Sequence, residues 1–177
     1  MMYKVYNFEF PDSLLQDIIP EYYKGLYTTF FNEKLDCDEY YQDVIDTVLK
    51  DMGLYHRSRC TCYSWAQVYD EKTGHGLHDH YNPCTLFSWV HFINPLDTMC
   101  FHFLDSEGNK FYPPQKKDDF IIFPSWASHE IDYSPVKGRA VIAGNVFVQE
   151  IESSIGVSQY NVESKYRQTW EVTNPKE

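Results

Sequence analysis

The hydrophobic rhythm of the chain changes near residue 58. Before that point apolar residues recur at helical spacing. "PDSLLQDIIPEYYKGLY" opens with Pro11, Asp12 and Ser13, a helix-start signal, and continues with Leu14, Leu15, Ile18 and Ile19 on one face. Pro20 lacks a backbone donor and should kink or end that helix. "DCDEYYQDVIDTVLKDMG" repeats the pattern with Tyr40, Val44, Ile45, Val48 and Leu49, and Gly53 suits a helix C-terminal stop. Residues 11–54 are therefore expected to be helical.

From residue 58 the period falls to two. In "SRCTCYSWAQVY", Arg59, Thr61, Tyr63, Trp65, Gln67 and Tyr69 share one face, while Cys60, Cys62, Ser64, Ala66 and Val68 share the other. Further strands are expected at 84–93, 99–104, 119–124 and 139–149. Turn signals separate them, among them Asn94-Pro95, Glu107-Gly108-Asn109, Pro113-Pro114 and Lys137-Gly138. Short strands with no helix between them argue for an antiparallel sandwich or barrel and against a parallel sheet with crossover helices. A single domain over 1–177 is expected. It comprises a helical N-terminal support (1–57), a β-barrel core (58–149) and a polar C-terminal extension (150–177) that adds a strand or covers one mouth of the barrel.

Composition narrows the function. The net charge of −11 repels phosphate backbones, and the densest basic group is only Lys116-Lys117, so nucleic acid and anionic membrane surfaces are excluded as partners. No apolar run approaches the ~20 residues that span a bilayer. The N-terminus has no signal-peptide character, so a cytoplasmic location is expected. The five cysteines follow no disulfide or zinc spacing and read as reduced, small apolar residues.

Three of the seven histidines fall within six residues, in "HGLHDH". Residues two apart on a strand point to one side, so His78 and His80 can aim two imidazoles at one point. His129, in "IIFPSWASHEI", follows a strong strand and a Pro124 turn and can supply a third. Three neutral imidazoles on one face bind Fe, Zn, Cu or Ni and leave the opposite face open. His75 lies off the strand phase and reads as an outer or solvent-facing residue. His91 and His102 sit within apolar strands and read as buried, hydrogen-bonded histidines. In "RAVIAGNVF", Arg139, Val141, Ala143, Asn145 and Phe147 share one face. If that face lines the interior, Arg139 needs an anion, either a carboxylate-bearing ligand or an internal acidic partner.

The spacing His78-x-His80, His129, Arg139 resembles that of the Fe(II)/2-oxoglutarate-dependent oxygenases. The likeness is to a short, prolyl-hydroxylase-like branch. It rests on "HDHYNPCTLFSWVHFI" and above all on "KDDFIIFPSWASHEIDYSPVKGRAVIAGN", and covers about residues 63 to 147. It implies a mainly β fold with N-terminal helices, the double-stranded β-helix, a cupin-like jelly-roll barrel. It also implies Fe(II) held by His78, His80 and His129, with no catalytic side chain beyond the ligands. 2-Oxoglutarate would be a co-substrate bound by Arg139 and Asn145, with a Tyr or Ser hydroxyl assisting. The implied oxidoreductase is a dioxygenase that hydroxylates a peptidyl side chain or a small molecule with dioxygen. The sequence departs from the superfamily's commoner His-x-Asp/Glu pattern, because His80 stands where the carboxylate would be. Either three histidines bind the metal, or a bulge brings in Asp79. Trp89 and His91 replace the branch's usual Gly and Tyr, which implies a reshaped substrate pocket. Two alternatives stand beside this one. The first is a three-histidine cupin-type dioxygenase that needs no 2-oxoglutarate, although Pro83 and Cys84 stand where cupins usually carry Glu. The second is a non-enzymatic metal-binding β-barrel module.

Overall fold

The computed structural model describes residues 3–15, 21–23, 26–31, 37–54, 58–151 and 158–159. From residue 58 onward the strands come in the order β4 (Ser58–Tyr69), β5 (His75–His78), β6 (Thr85–Asn94), β7 (Phe101–Leu104), β8 (Lys110–Phe111), β9 (Asp119–Pro124), β10 (His129–Ile131) and β11 (Arg139–Ile151). Before them lie β1 (Lys4–Asn7), the short α1 (Asp12–Leu15), β2 (Glu21–Tyr23), β3 (Leu26–Thr28) and α2 (Asp38–Asp51). After them comes β12 (Ser158–Gln159).

Two antiparallel sheets result. The larger runs β1-β9-β6-β11-β4-β3-β2, with β12 joining β11, and the smaller runs β5-β10-β7-β8. Along the chain β4, β6, β9 and β11 fall in the larger sheet, and β5, β7, β8 and β10 in the smaller. The chain therefore winds back and forth between two facing sheets, which is the expected double-stranded β-helix.

Strand parity divides the side chains between two cores. Val141 of β11, Val90 and Phe92 of β6, and Ile121 and Phe123 of β9 face the space between the sheets, where they meet Phe101, Phe103 and Ile131 of the smaller sheet. The alternate positions Ile142, Val146, Trp89, Phe120 and Ile122 face away from it and pack under α2. That helix buries Tyr41, Val44, Ile45, Val48 and Leu49. Full burial of an aliphatic side chain contributes roughly 1.5–3 kcal/mol, so this face alone accounts for the docking of α2. Gly53, at φ +72°, ends the helix as expected. Its N–H donates to the Lys50 carbonyl, and the Leu54 N–H donates to the Leu49 carbonyl, a paired closure that needs a left-handed residue.

The N-terminal segment differs from its helical expectation. Among the described residues before α2 only Asp12–Leu15 is helical, and β2 and β3 pair as a hairpin whose second strand lies along β4. Tyr22, Tyr23, Tyr27 and Thr28 are strand formers, and the open edge of β4 offers them a backbone ladder that an isolated helix lacks. Ile18, Ile19 and Pro20 lie outside the described residues, as does most of the C-terminal extension. Among the described residues no helix is long and apolar enough to cross a membrane. No disulfide joins the five cysteines.

Candidate metal centre

Three imidazoles converge at one end of the inter-sheet space. His78 closes β5, His129 opens β10, and the two are register partners across the smaller sheet. His80 follows β5 in a loop whose His80 N–H donates to the Ser125 carbonyl at 2.9 Å, which ties it to the turn before His129. Among the described residues, His78, His80 and His129 form the one group of three potential ligand side chains whose donor atoms all lie within 4.8 Å of one another. Ring centroids are 4.3 Å apart for His78 and His129, and 5.2 Å apart for each of the other two pairs.

The tautomers suit a cation. The Nδ1–H of His78 donates to the Gly76 carbonyl at 2.7 Å, and that of His129 donates to the Ala127 carbonyl at 3.0 Å. A carbonyl can only accept, so Nδ1 carries the proton and each Nε2 keeps a free lone pair. Burial, reinforced by the other imidazoles, holds His80 down at about 3 and His129 well below the ordinary histidine range, and burial also lowers His78. Clustered imidazoles cannot all be cationic without repelling one another, so the cluster is neutral at pH 7 and fit to bind a metal.

Two of the rings are braced by aromatic side chains from the sheets. His129 is buried against Phe123 (5.0 Å) and Phe101 (5.4 Å), and His80 lies 5.8 Å from Trp65. Asp79 is exposed, and its Oδ1 accepts the Tyr81 N–H at 3.0 Å, so its carboxylate closes a local turn and stands outside the cluster.

Arg139 begins β11 on the inward face shared with Val141 and is 1% exposed. Its guanidinium lies 4.0 Å over the ring of Tyr69, its register partner on β4. Nε and Nη2 have no hydrogen-bond partner, and no described carboxylate pairs with them. A buried, permanently charged group with two idle donors is costly unless an anion meets it. The internal acidic partner weighed from the sequence is not found among the described residues. Asn145 is buried on the same face and accepts the Ser88 hydroxyl at 2.7 Å through Oδ1.

Other residues fall apart from this group. Trp89 and His91 point under α2, so they do not shape the inter-sheet space. Gly144, opposite Trp89, has no room for a side chain: a Cβ would stand 2.3 Å from the indole and 2.5 Å from the Tyr63 carbonyl. His91 is a satisfied structural histidine. Its Nε2–H donates to Phe8 O at 2.8 Å, and Nδ1 accepts from the Tyr41 hydroxyl at 2.8 Å. His102 is buried on the outer face of the smaller sheet beside Glu130 (3.3 Å) and Asp132 (3.5 Å).

Sequence reasoning missed a bulge in β5. Ile131 opposes His75 and His129 opposes His78, so three steps along β5 match two along β10. The signal was glycine: Gly74 and Gly76 flank His75, and glycine inside a strand marks a bulge or a close backbone approach. At Gly74 the approach is real, because a Cβ would meet the Ile131 carbonyl at 2.5 Å. Gln67 was also missed as a partner of the arginine's neighbour; it accepts the Tyr69 hydroxyl at 2.7 Å.

The sequence matches no known family model and no curated protein. Solved structures do share its fold. A prolyl-4-hydroxylase from Pseudomonas putida superposes with a TM-score of 0.60 at 13% identity, over 82% of this chain and 92% of that one. An oxidoreductase of the 2OG-Fe(II) oxygenase family from Burkholderia pseudomallei gives 0.60 at 14%, over 77% and 75%. A Trichoplax adhaerens prolyl hydroxylase, solved with a peptide fragment of the hypoxia-inducible factor oxygen degradation domain, gives 0.60 at 14%, over 82% and 83%. At these identities the superpositions establish the fold alone, the double-stranded β-helix that these oxygenase structures share.

Proposed function

We propose that the protein is an Fe(II)- and 2-oxoglutarate-dependent dioxygenase that hydroxylates a peptidyl side chain or a small molecule. The observation that carries this is the pairing of three neutral imidazoles with a buried arginine that has idle donors, both on the interior of one sheet sandwich. Fe(II) and 2-oxoglutarate, when bound, supply the oxidising chemistry, which is the cofactors' own.

The chain's residues do the rest. The Nε2 atoms of His78 and His129 and a ring nitrogen of His80 would hold the metal on one face, and the backbone-bonded Nδ1 atoms of His78 and His129 would keep those two rings in place. Arg139 would take the distal carboxylate of the co-substrate through Nε and Nη2, with Tyr69 fixing the guanidinium plane. Asn145 would offer its amide nitrogen on the same wall. Trp65, Phe101 and Phe123 keep the surroundings apolar and dry. All three ligands are neutral, so the metal would retain more positive charge than with the commoner carboxylate ligand.

The distal carboxylate of 2-oxoglutarate would meet the idle guanidinium, whereas a cupin-type dioxygenase without co-substrate would need a carboxylate on the substrate itself to do so. The test is anaerobic titration with Fe(II) and 2-oxoglutarate, watched for the weak visible charge-transfer band, then succinate release on admitting oxygen. A band that needs both additions, followed by succinate, is expected. No band and no succinate at any Fe(II) level would end the proposal.

A further inference from the structure

We infer that His75 is a positioning residue for the metal centre, the ring that holds His78 in ligating orientation; this rests on the metal-binding function proposed above. His129 and His80 have aromatic neighbours from the body of the protein, Phe123 and Phe101 for one and Trp65 for the other. His78 lies on β5, which among the described residues is the edge strand of its sheet. His75 stands where that support would be. Its ring is stacked on His78 with centroids 4.1 Å apart and planes 24° from parallel.

A regular strand could not do this, because residues three apart point to opposite faces. The bulge makes it possible. It sets three steps of β5 against two of β10, so His75 and His78 both fall opposite inward-facing residues, Ile131 and His129. Gly74 fixes where the bulged segment starts by letting the backbone approach the Ile131 carbonyl more closely than any side chain allows. Gly76 provides the carbonyl that accepts from His78 Nδ1. That hydrogen bond holds one atom of the ring, the tilted His129 ring stands 4.3 Å away, and the flat face of His75 limits rotation of the His78 plane. His75 is not one of the three converging ligands. Its residue remains exposed at the sheet edge. An imidazole there presents a flat face to His78 and a polar rim to water.

The experiment is Co(II) titration of the metal-free full chain, with the visible cobalt bands and chelator competition as readouts. Wild type, His75→Ala and His75→Phe are compared, and thermal melts of the metal-free forms check that all three fold alike. His75→Ala should weaken Co(II) binding about 10-fold or more, the scale of losing support behind a ligand, while His75→Phe should stay within about 3-fold with unchanged cobalt bands. Wild-type affinity in His75→Ala would overturn the inference alone. So would a His75→Phe variant as weak as His75→Ala or with altered bands, since His75 would then act through its nitrogen. A wild type that takes up no Co(II) would overturn the metal-binding function, and this inference with it.

Discussion

Two imidazoles of the cluster, His78 and His129, donate Nδ1–H to carbonyls two residues upstream, of Gly76 and Ala127. This local geometry sets the tautomer that presents each Nε2, so loss of a ligand ring should be decisive while the outward-facing carboxylate of Asp79 should matter little. His129→Ala should reduce Fe(II) or Co(II) affinity by more than the ~10–100-fold typical of outer-shell changes, while Asp79→Asn should leave it within about 2-fold. Chelator competition measures both, and a large loss in Asp79→Asn would mean that the carboxylate ligates after all. Arg139 offers a separable test. Replacing it with Met removes two idle charged donors, each worth about 1.5–3 kcal/mol when paired, so the 2-oxoglutarate concentration for half-maximal band formation should rise at least ~10-fold while metal affinity holds. At this scale parity was informative: it set Arg139 and Asn145 on one face and drew attention to the spacing of His78 and His80. The tautomers were not legible, because their acceptors are backbone carbonyls, which every residue carries.

Elements with several buried turns or repeats were readable, and among those of two to four residues β7 and α1 were expected while the strands that carry the histidines were not. α2 and β9 announce themselves through five buried helical positions and a run of apolar residues. β5 and β10, which carry the histidines, are four and three residues long and have no periodicity to read. The β2–β3 hairpin reads as helix because tyrosines fit either state until an edge strand offers pairing. Two positions test how tightly elements constrain their neighbours. Gly144 lets β11 pass beneath Trp89, so Gly144→Ala should destabilise by about 1–3 kcal/mol through overpacking, read as a lower urea midpoint with unchanged slope. The turn after β6 is the reverse case. Leu96 and Asp97 both hold φ 52°, a left-handed pair that costs L-residues about 1–2 kcal/mol each, so Leu96→Asn with Asp97→Gly should raise the midpoint. An unchanged or lower midpoint would show that the turn is held by contacts other than its own backbone preference.

Burial keeps His80, His91 and His129 uncharged, and this sets the response of the whole molecule to acid. Burial lowers His80 to about 3 and His91 to about 4, and places His129 well below its ordinary value. An unfolded chain would protonate all three near pH 6.5. Between that pH and the folded values the unfolded state therefore binds more protons, and stability falls as pH falls. For His91 alone, protonation would cost the hydrogen bond that Nδ1 accepts from Tyr41, and its shift corresponds to something on the order of 3 kcal/mol lost between about pH 6.5 and 4. Relief of charge repulsion works the other way, since the chain carries −11 and its pI is about 5.0. That gain is spread over exposed, salt-screened groups, whereas each buried histidine acts at full strength, so loss should prevail. Urea unfolding of the metal-free protein should show stability dropping from pH 7 to pH 5. His91→Gln, which can still donate to Phe8 O and accept from Tyr41, should drop less steeply, by nearly one proton's worth of slope. A flat profile in wild type, or equal slopes in both, would mean that these rings reach water and that the interior is wetter than its packing implies.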